Sequence, residues 1–417
     1  MLTLFLMPIA NAKTTLFSVM LVTLIGTAGI ALPYPVLAPL FLDGPASDLT
    51  RFMGLPRKLL LGVILALFPL GLLLGSSVVG ALSDHFGRRR TLVLTLILAA
   101  AGYALSALAL SAHNFLLFAV ARFVTGLCEG NIAIARAMAA DLHPVIDRTR
   151  ALSLAMACAY AGWLLGPLSG GYLAQYGPEV VFWAGTVAVL TCALVSQIMM
   201  PTDTPRQPGG SNLLRLIRAQ NSMTLWQQPA VRALAMFNLL FCLGVNAFYE
   251  FYPFWLVEEF GYQPHQIAWN TVVVTGVMIA TSVVAIPALK RRFGANPVVS
   301  KGALGLGTLL IALPWTNSQI AIGMFALIGV GIASVNGVFP AIIAERFEHY
   351  GQGRVMGLLT ANFCLSSTVI ALAGSGLALL GSQWTLVLGG LLCIAAATWF
   401  AMLHQASDDW PAKANTH

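Results

Sequence analysis

The chain alternates long apolar runs with short polar gaps, and the runs predict its elements. Runs bounded by charge, Gly or Pro lie near residues 16–42, 58–82, 91–111, 115–141, 151–174 and 180–200. Six more lie near 231–257, 265–289, 298–315, 319–344, 355–380 and 383–403. A hydrocarbon layer about 30 Å thick takes roughly 20 apolar residues per helix, so the pattern predicts an all-α membrane protein with twelve transmembrane helices. The stretch beginning near Leu16 runs past Leu40 without a small-residue cleavage site, and is expected to be a retained first helix rather than a signal.

Composition sharpens this. Hydrophobic residues make up 58% and charged residues 9% of the 417 positions, against roughly a quarter charged in a soluble domain. No water-soluble fold of this size hides that much apolar surface. The net charge of +7 does not point to nucleic acid, because the basic residues fall in short gaps rather than on one solvated face. Their placement bears on orientation instead. With a cytoplasmic amino terminus, the even-numbered connections carry Arg88, Arg89, Arg90, Arg148, Arg150, Arg206, Arg215, Arg218, Lys290, Arg291, Arg292, Lys301, Arg346 and Arg354. The odd-numbered ones carry Arg51, Arg57 and Lys58. Lys and Arg bias sets insertion, so both termini are expected in the cytoplasm.

The longest gap, near 201–230, holds Pro201, Pro205, Pro208, Gly209 and Gly210 at the middle of the chain. It divides the chain into an expected six-helix bundle over 1–200, a linker over 201–230, a second six-helix bundle over 231–403 and a tail over 404–417. Leu213, Leu214, Leu216 and Ile217 around Arg215 and Arg218 suit either a short interfacial helix or a plain solvated linker. Moving residue 87 onto residue 294, an offset of 207, aligns Gly80–Gly87 with Pro287–Gly294 and Glu129-Gly130 with Asn336-Gly337. Such similarity between halves is what a duplicated transporter predicts.

Three stretches resemble a known family. Gly80-Ala-Leu-Ser-Asp84-His85-Phe-Gly87-Arg88-Arg89-Arg90 is similar to the signature loop between helices two and three of the major facilitator superfamily. Gly162-Trp-Leu-Leu-Gly166-Pro167-Leu-Ser-Gly170-Gly171 resembles the antiporter motif of its twelve-helix drug:proton branch. Gly29 through Pro33 to Pro35 is similar to the proline-bearing first helix of that branch. The resemblance implies two pseudo-symmetric bundles working as a monomer by alternating access. It makes Gly80, Asp84, Gly87, Arg88 and Arg89 a cytoplasmic gate loop, with His85 standing where a basic residue is usual. Without the family, glycines four apart form a smooth helix stripe, and Pro167 removes a hydrogen bond and bends the helix.

Charges inside apolar runs are the candidate chemistry. Arg122, Glu129 and Arg136 recur every seven residues and on one continuous helix share a face. Intramembrane charge costs several kcal/mol unless paired or wetted, so this face is expected to line a cavity or a polar network. Arg122 with Gly126 and Gly130 resembles the family's helix-four motif, whose Arg influences proton transfer. Three roles remain open for Glu129: proton coupling with Arg122 and Arg136, a static ion pair with one of them, or direct substrate binding. In helix seven, Asn246, Tyr249 and Glu250 sit at three-and-four spacing within an aromatic stretch ending at Trp255, a cluster able to hold a cationic or hydroxylated substrate. The alternative there is aromatic anchoring at the interface. Asn336, and Asn362 with Ser366, complete the candidate substrate cavity; interhelical packing is the alternative for each.

The seven histidines fall in connections or the tail, and the six cysteines, in apolar runs, have no paired spacing, so no metal, cofactor or disulfide is expected. A phosphate-binding loop is missing, which disfavours ATP as the energy source. No catalytic constellation supports an enzyme. The reading is a secondary active transporter whose partners are a small organic substrate (drug, metabolite or siderophore), protons and the lipid bilayer, in a bacterial inner membrane. Proton-coupled export is preferred, with proton-linked uptake as the alternative.

Overall fold

The structure, a computed structural model, describes residues 9–201, 222–350 and 352–408. The expected interfacial segment around Leu213–Arg218 and the tail beyond 408 lie outside the described residues. Among the described residues there is no strand, and twelve helices are long and apolar enough to cross a membrane. They are α1 Ala12–Leu42, α2 Arg57–Gly80, α3 Arg88–Ser111, α4 Phe115–Asp141, α5 Arg150–Tyr176 and α6 Pro178–Met199. Then come α7 Pro229–Phe260, α8 Pro264–Phe293, α9 Ala295–Trp315, α10 Ser318–Arg346, α11 Arg354–Leu380 and α12 Ser382–Leu403.

The chain divides into two compact units, Met1–Asn221 with Tyr262–Val272, and Ser222–Gly261 with Val273–His417. In the first, α1 packs on α5 and α6, α2 on α4, and α3 on α4 and α6. The second repeats the scheme: α7 packs on α11 and α12, and α9 on α10 and α12.

The same punctuation marks both halves. Asn114 and Asn317 cap α4 and α10, each accepting 2.9 Å hydrogen bonds from the backbone three residues on, which satisfies a donor that a helix start leaves open. Gly87 and Gly294, 207 apart, turn the chain at φ 96° and 80°, a region that a Cβ disfavours. Helix α4 is interrupted between Cys128 and Asn131, and α10 between Asn336 and Phe339. In α1 the interruption falls at Pro33, between Ile9–Ala31 and Tyr34–Leu42, where two prolines remove backbone donors.

Candidate functional site

The break in α4 builds the most unusual environment of the first unit. Glu129 ends the segment Phe115–Cys128 with φ −76° and ψ 11°, its N–H reaching the Gly126 carbonyl at 3.2 Å rather than one turn back. Gly130 then starts Asn131–Asp141. The side chains at this joint are buried: Glu129 and Asn131 are 1% exposed and Arg122 4%. From α3 the hydroxyl of fully buried Tyr103 donates to Glu129 Oε1 at 3.2 Å. The Arg122 guanidinium lies over the Phe68 ring at 4.6 Å and near Phe182 at 5.9 Å, cation–π contacts from α2 and α6. No ion pair joins Arg122 to Glu129 among the described residues. Glu129 Oε2, Arg122 Nε and Nη1, and Asn131 Oδ1 are all buried without a hydrogen-bond partner.

Such a carboxylate is out of balance. Removing a charge from water costs several kcal/mol unless a partner compensates it, and one hydroxyl does so incompletely. A proton on Glu129, or water reaching Oε2, relieves the cost. The joint therefore suits reversible protonation.

Arg136 does not join this cluster. The expected single stripe needs an unbroken helix, and the turn at Glu129-Gly130 ends that register, leaving Arg136 exposed on the following segment. Tyr103 and Asn131 were not among the sequence candidates. Tyr103 is the only aromatic residue between Arg88 and Ser111, but its partner lies 26 positions on, and nothing in the sequence pairs the two.

In the loop expected to act as a gate, Gly80 lies within the long helix Arg57–Phe86 and Gly87 makes the turn. Arg88 ion-pairs with Asp141 at the end of α4, and Arg89 donates to the Gln197 carbonyl of α6. These arginines thus fasten the start of α3 to its neighbours. The Asp84 side chain lies outside what the structure describes.

The glycine motif of α5 faces the backbone of α1. A Cβ on Gly162 would sit 2.6 Å from the Leu24 carbonyl oxygen and 2.8 Å from Thr27 Cβ; one on Gly166 or Gly170 would meet the Ala28 or Leu32 carbonyl. Gly171 faces the Pro264 carbonyl and Ala268, at the start of α8 and in the same unit. Pro167 lies inside the helix between these contacts.

In the second unit, Asn246 donates to the Phe363 carbonyl at 3.1 Å, and Ser367 donates to Glu250 Oε1. Both α7 side chains therefore face α11. Tyr249 instead donates to Met278 Sδ of α8 at 3.2 Å, so the three expected to share a face divide between two neighbours. Glu250 is 3% exposed and its Oε2 lacks a partner. Phe248, Phe251, Tyr252, Phe254 and Trp255 are buried core residues, Phe248 and Tyr252 stacking 5.0 Å apart and both meeting Phe325. Asn336 is exposed where α10 breaks. Asn362 is engaged on all sides: it accepts from Trp226 Nε1 and donates to the Ala235 carbonyl and Asn238 Oδ1, each at 3.1 Å. Ser366 donates to the Leu239 carbonyl at 3.3 Å.

Twelve apolar helices, two units paired internally by one scheme, and buried ionisable groups at a broken helix define a multi-pass membrane transporter rather than an enzyme. The sequence model of the Major Facilitator Superfamily matches residues 19–263 and 234–416, and the chain belongs to that family. It is 28% identical over 368 residues to the class C tetracycline resistance protein of Escherichia coli, covering 83% of this chain and 86% of the relative. Against the quinolone resistance protein NorA of Staphylococcus aureus (strain MSSA476) it is 25% identical over 250 residues, 60% and 59% of the two chains. Among solved structures, the human organic anion transporter MFSD10 superposes with a TM-score of 0.69 at 20% identity, over 93% of this chain and 99% of that one. A D-xylose-proton symporter gives 0.71 at 16%, over 94% and 96%. The chain resembles the drug:proton antiporter branch in sequence, while the structural likenesses show the fold.

Proposed function

We propose that the chain is a proton-coupled exporter of a small organic molecule, working by alternating access in a bacterial inner membrane with both termini cytoplasmic. The observation that carries this reading is Glu129: a carboxylate buried at the break in α4, with a free oxygen and with Arg122 not paired to it. Protonation removes the cost of burying it, and deprotonation calls for water or Arg122, so the two states favour different surroundings. Arg136 acts from the following segment. The tetracycline and quinolone resistance proteins among the relatives support export of a drug-like compound.

On the substrate side, Glu250 keeps an unsatisfied oxygen beside Tyr249 and supports binding of a cationic or hydrogen-bonding group. Asn336 is exposed and free to contribute. Asn246 and Asn362 are occupied by other helices, and they shape the path rather than contact its contents. Gly80, Asp84, Gly87, Arg88 and Arg89 form the gate loop. Gly162, Gly166 and Gly170, with Pro167 between them, let α5 move closely against α1, while Gly171 does the same against the start of α8.

The test is transport in sealed proteoliposomes with tetracycline and norfloxacin as probes. Wild-type protein should accumulate one of them against an imposed proton gradient of the antiport sense. Glu129→Gln should lose that accumulation while retaining gradient-independent exchange of labelled for unlabelled probe. Full proton-driven accumulation by the variant would overturn the coupling role. Accumulation only under the opposite gradient would establish uptake instead.

A further inference from the structure

We propose that Tyr103 is the positioning residue of the Glu129 proton site: its hydroxyl holds the carboxylate at the break in α4 and sets the pH at which the proton is released. The proposal rests on the reading of Glu129 as the proton-binding group, and adds a residue to which neither the sequence motifs nor that reading gave a role.

Three observations support it. The Tyr103 hydroxyl lies wholly inside the first unit and donates to Glu129 Oε1. The slot for the ring is made by two glycines on other helices. A Cβ on Gly29 of α1 would sit 2.6 Å from the hydroxyl oxygen, and one on Gly185 of α6 would sit 3.2 Å from ring Cδ1. The neighbouring hydroxyl does not compete for the carboxylate, because Thr125 Oγ1 donates to the Ala121 carbonyl at 2.7 Å. A phenol fixed by three helices therefore selects one carboxylate oxygen and leaves Oε2 as the face open to protonation.

The other groups around Glu129 come from α1, α4 and α6, while α2 presents the Phe68 ring to Arg122. Arg122 and the Cys128 thiol belong to α4, and the Cys192 thiol to α6. The Asn131 amide lies beside the carboxylate, and Tyr34 of α1 acts on Arg122. Arg122 is the only cation among them, and it forms no ion pair with Glu129 among the described residues. Among the described residues the Tyr103 hydroxyl is the side-chain donor hydrogen-bonded to Glu129, and a hydrogen bond to a carboxylate favours its charged form.

Two substitutions test this from opposite sides. Tyr103→Phe keeps the ring and removes the donor; Gly29→Ala keeps the donor and displaces it. The readout is the pH midpoint of gradient-driven probe transport in proteoliposomes, with the maximal rate and thermal stability recorded beside it. Both variants should move the midpoint toward higher pH by about one unit, a tenfold change in proton affinity, a shift that a uniform loss of rate at every pH would not produce. Tyr103→Phe in a Glu129→Gln background should add nothing. If Tyr103→Phe leaves the midpoint in place although Glu129→Gln abolishes proton dependence, the Tyr103 role falls and the Glu129 reading stands. If Glu129→Gln itself retains the wild-type proton dependence, the underlying reading falls. A loss of rate with melting temperature and midpoint both changed only through destabilisation would show Tyr103 to be packing and would also overturn the proposal. The midpoint of Tyr103→Phe decides the matter even where Gly29→Ala fails to fold.

Discussion

Replacing Gly162 with Ala asks how much of the α5 motif is helix packing. The added methyl would lie 2.6 Å from the Leu24 carbonyl oxygen, 2.8 Å from Thr27 Cβ and 2.9 Å from the Ala28 amide nitrogen. Carbon atoms rest at about 3.5–4.0 Å, so α1 must withdraw by roughly 0.7 Å or more. All three contacts involve backbone or Cβ, which a rotamer change cannot relieve. Overpacking of this kind costs about 1–3 kcal/mol. Three such contacts at once place the cost in the upper part of that range, and after the better helix propensity of Ala returns about 1 kcal/mol a net loss of about 1–2 kcal/mol remains. For a body of about 200 residues that lowers the melting temperature by roughly 2–8 °C. Melting can be followed in detergent with a thiol-reactive fluorophore, since Cys192, Cys242, Cys364 and Cys393 are buried. Gly276→Ala is the control, because a Cβ there meets nothing within 4 Å. A Gly162→Ala protein that melts with the wild type, or a control that falls equally far, would refute the packing argument.

Asn362→Leu removes three hydrogen bonds, each worth about 0.6–1.7 kcal/mol in a membrane bundle, and should lower stability by about 2–5 kcal/mol. Trp226→Phe should cost less and be non-additive with it in a thermal-melting cycle. Asp141→Asn breaks the Arg88 ion pair, whose carboxylate is 37% exposed. Stability should change by less than about 1 kcal/mol, and wild type and variant should converge in 1 M salt. A larger, salt-independent loss would mean that the pair holds more than the start of α3.

The twelve spans were legible because the requirement behind them, a length of apolar chain matched to a bilayer, is written in composition alone. The turns at Gly87 and Gly294 were legible too, since each glycine ends a run and is followed by a new one. What the sequence concealed were the interruptions inside spans. Glu129-Gly130 sits in an apolar stretch that reads as continuous, and only the broken helix shows why Arg122 and Glu129 are buried together while Arg136 is exposed. Tyr103 was hidden for another reason: its significance is a contact across helices, and an isolated Tyr in an apolar run gives no sign of what faces it. The division of Asn246 and Glu250 from Tyr249 follows from which neighbour each side chain meets, and helical spacing does not determine that.

The interruptions of α4 and α10 fall 207 residues apart, at Glu129-Gly130 in one half and Asn336-Gly337 in the other. The two joints share one mechanical part and differ in its electrical content, an acid in the first and a neutral amide in the second. Converting Asn336 to an acid would ask whether the second joint tolerates the charge that the first one holds.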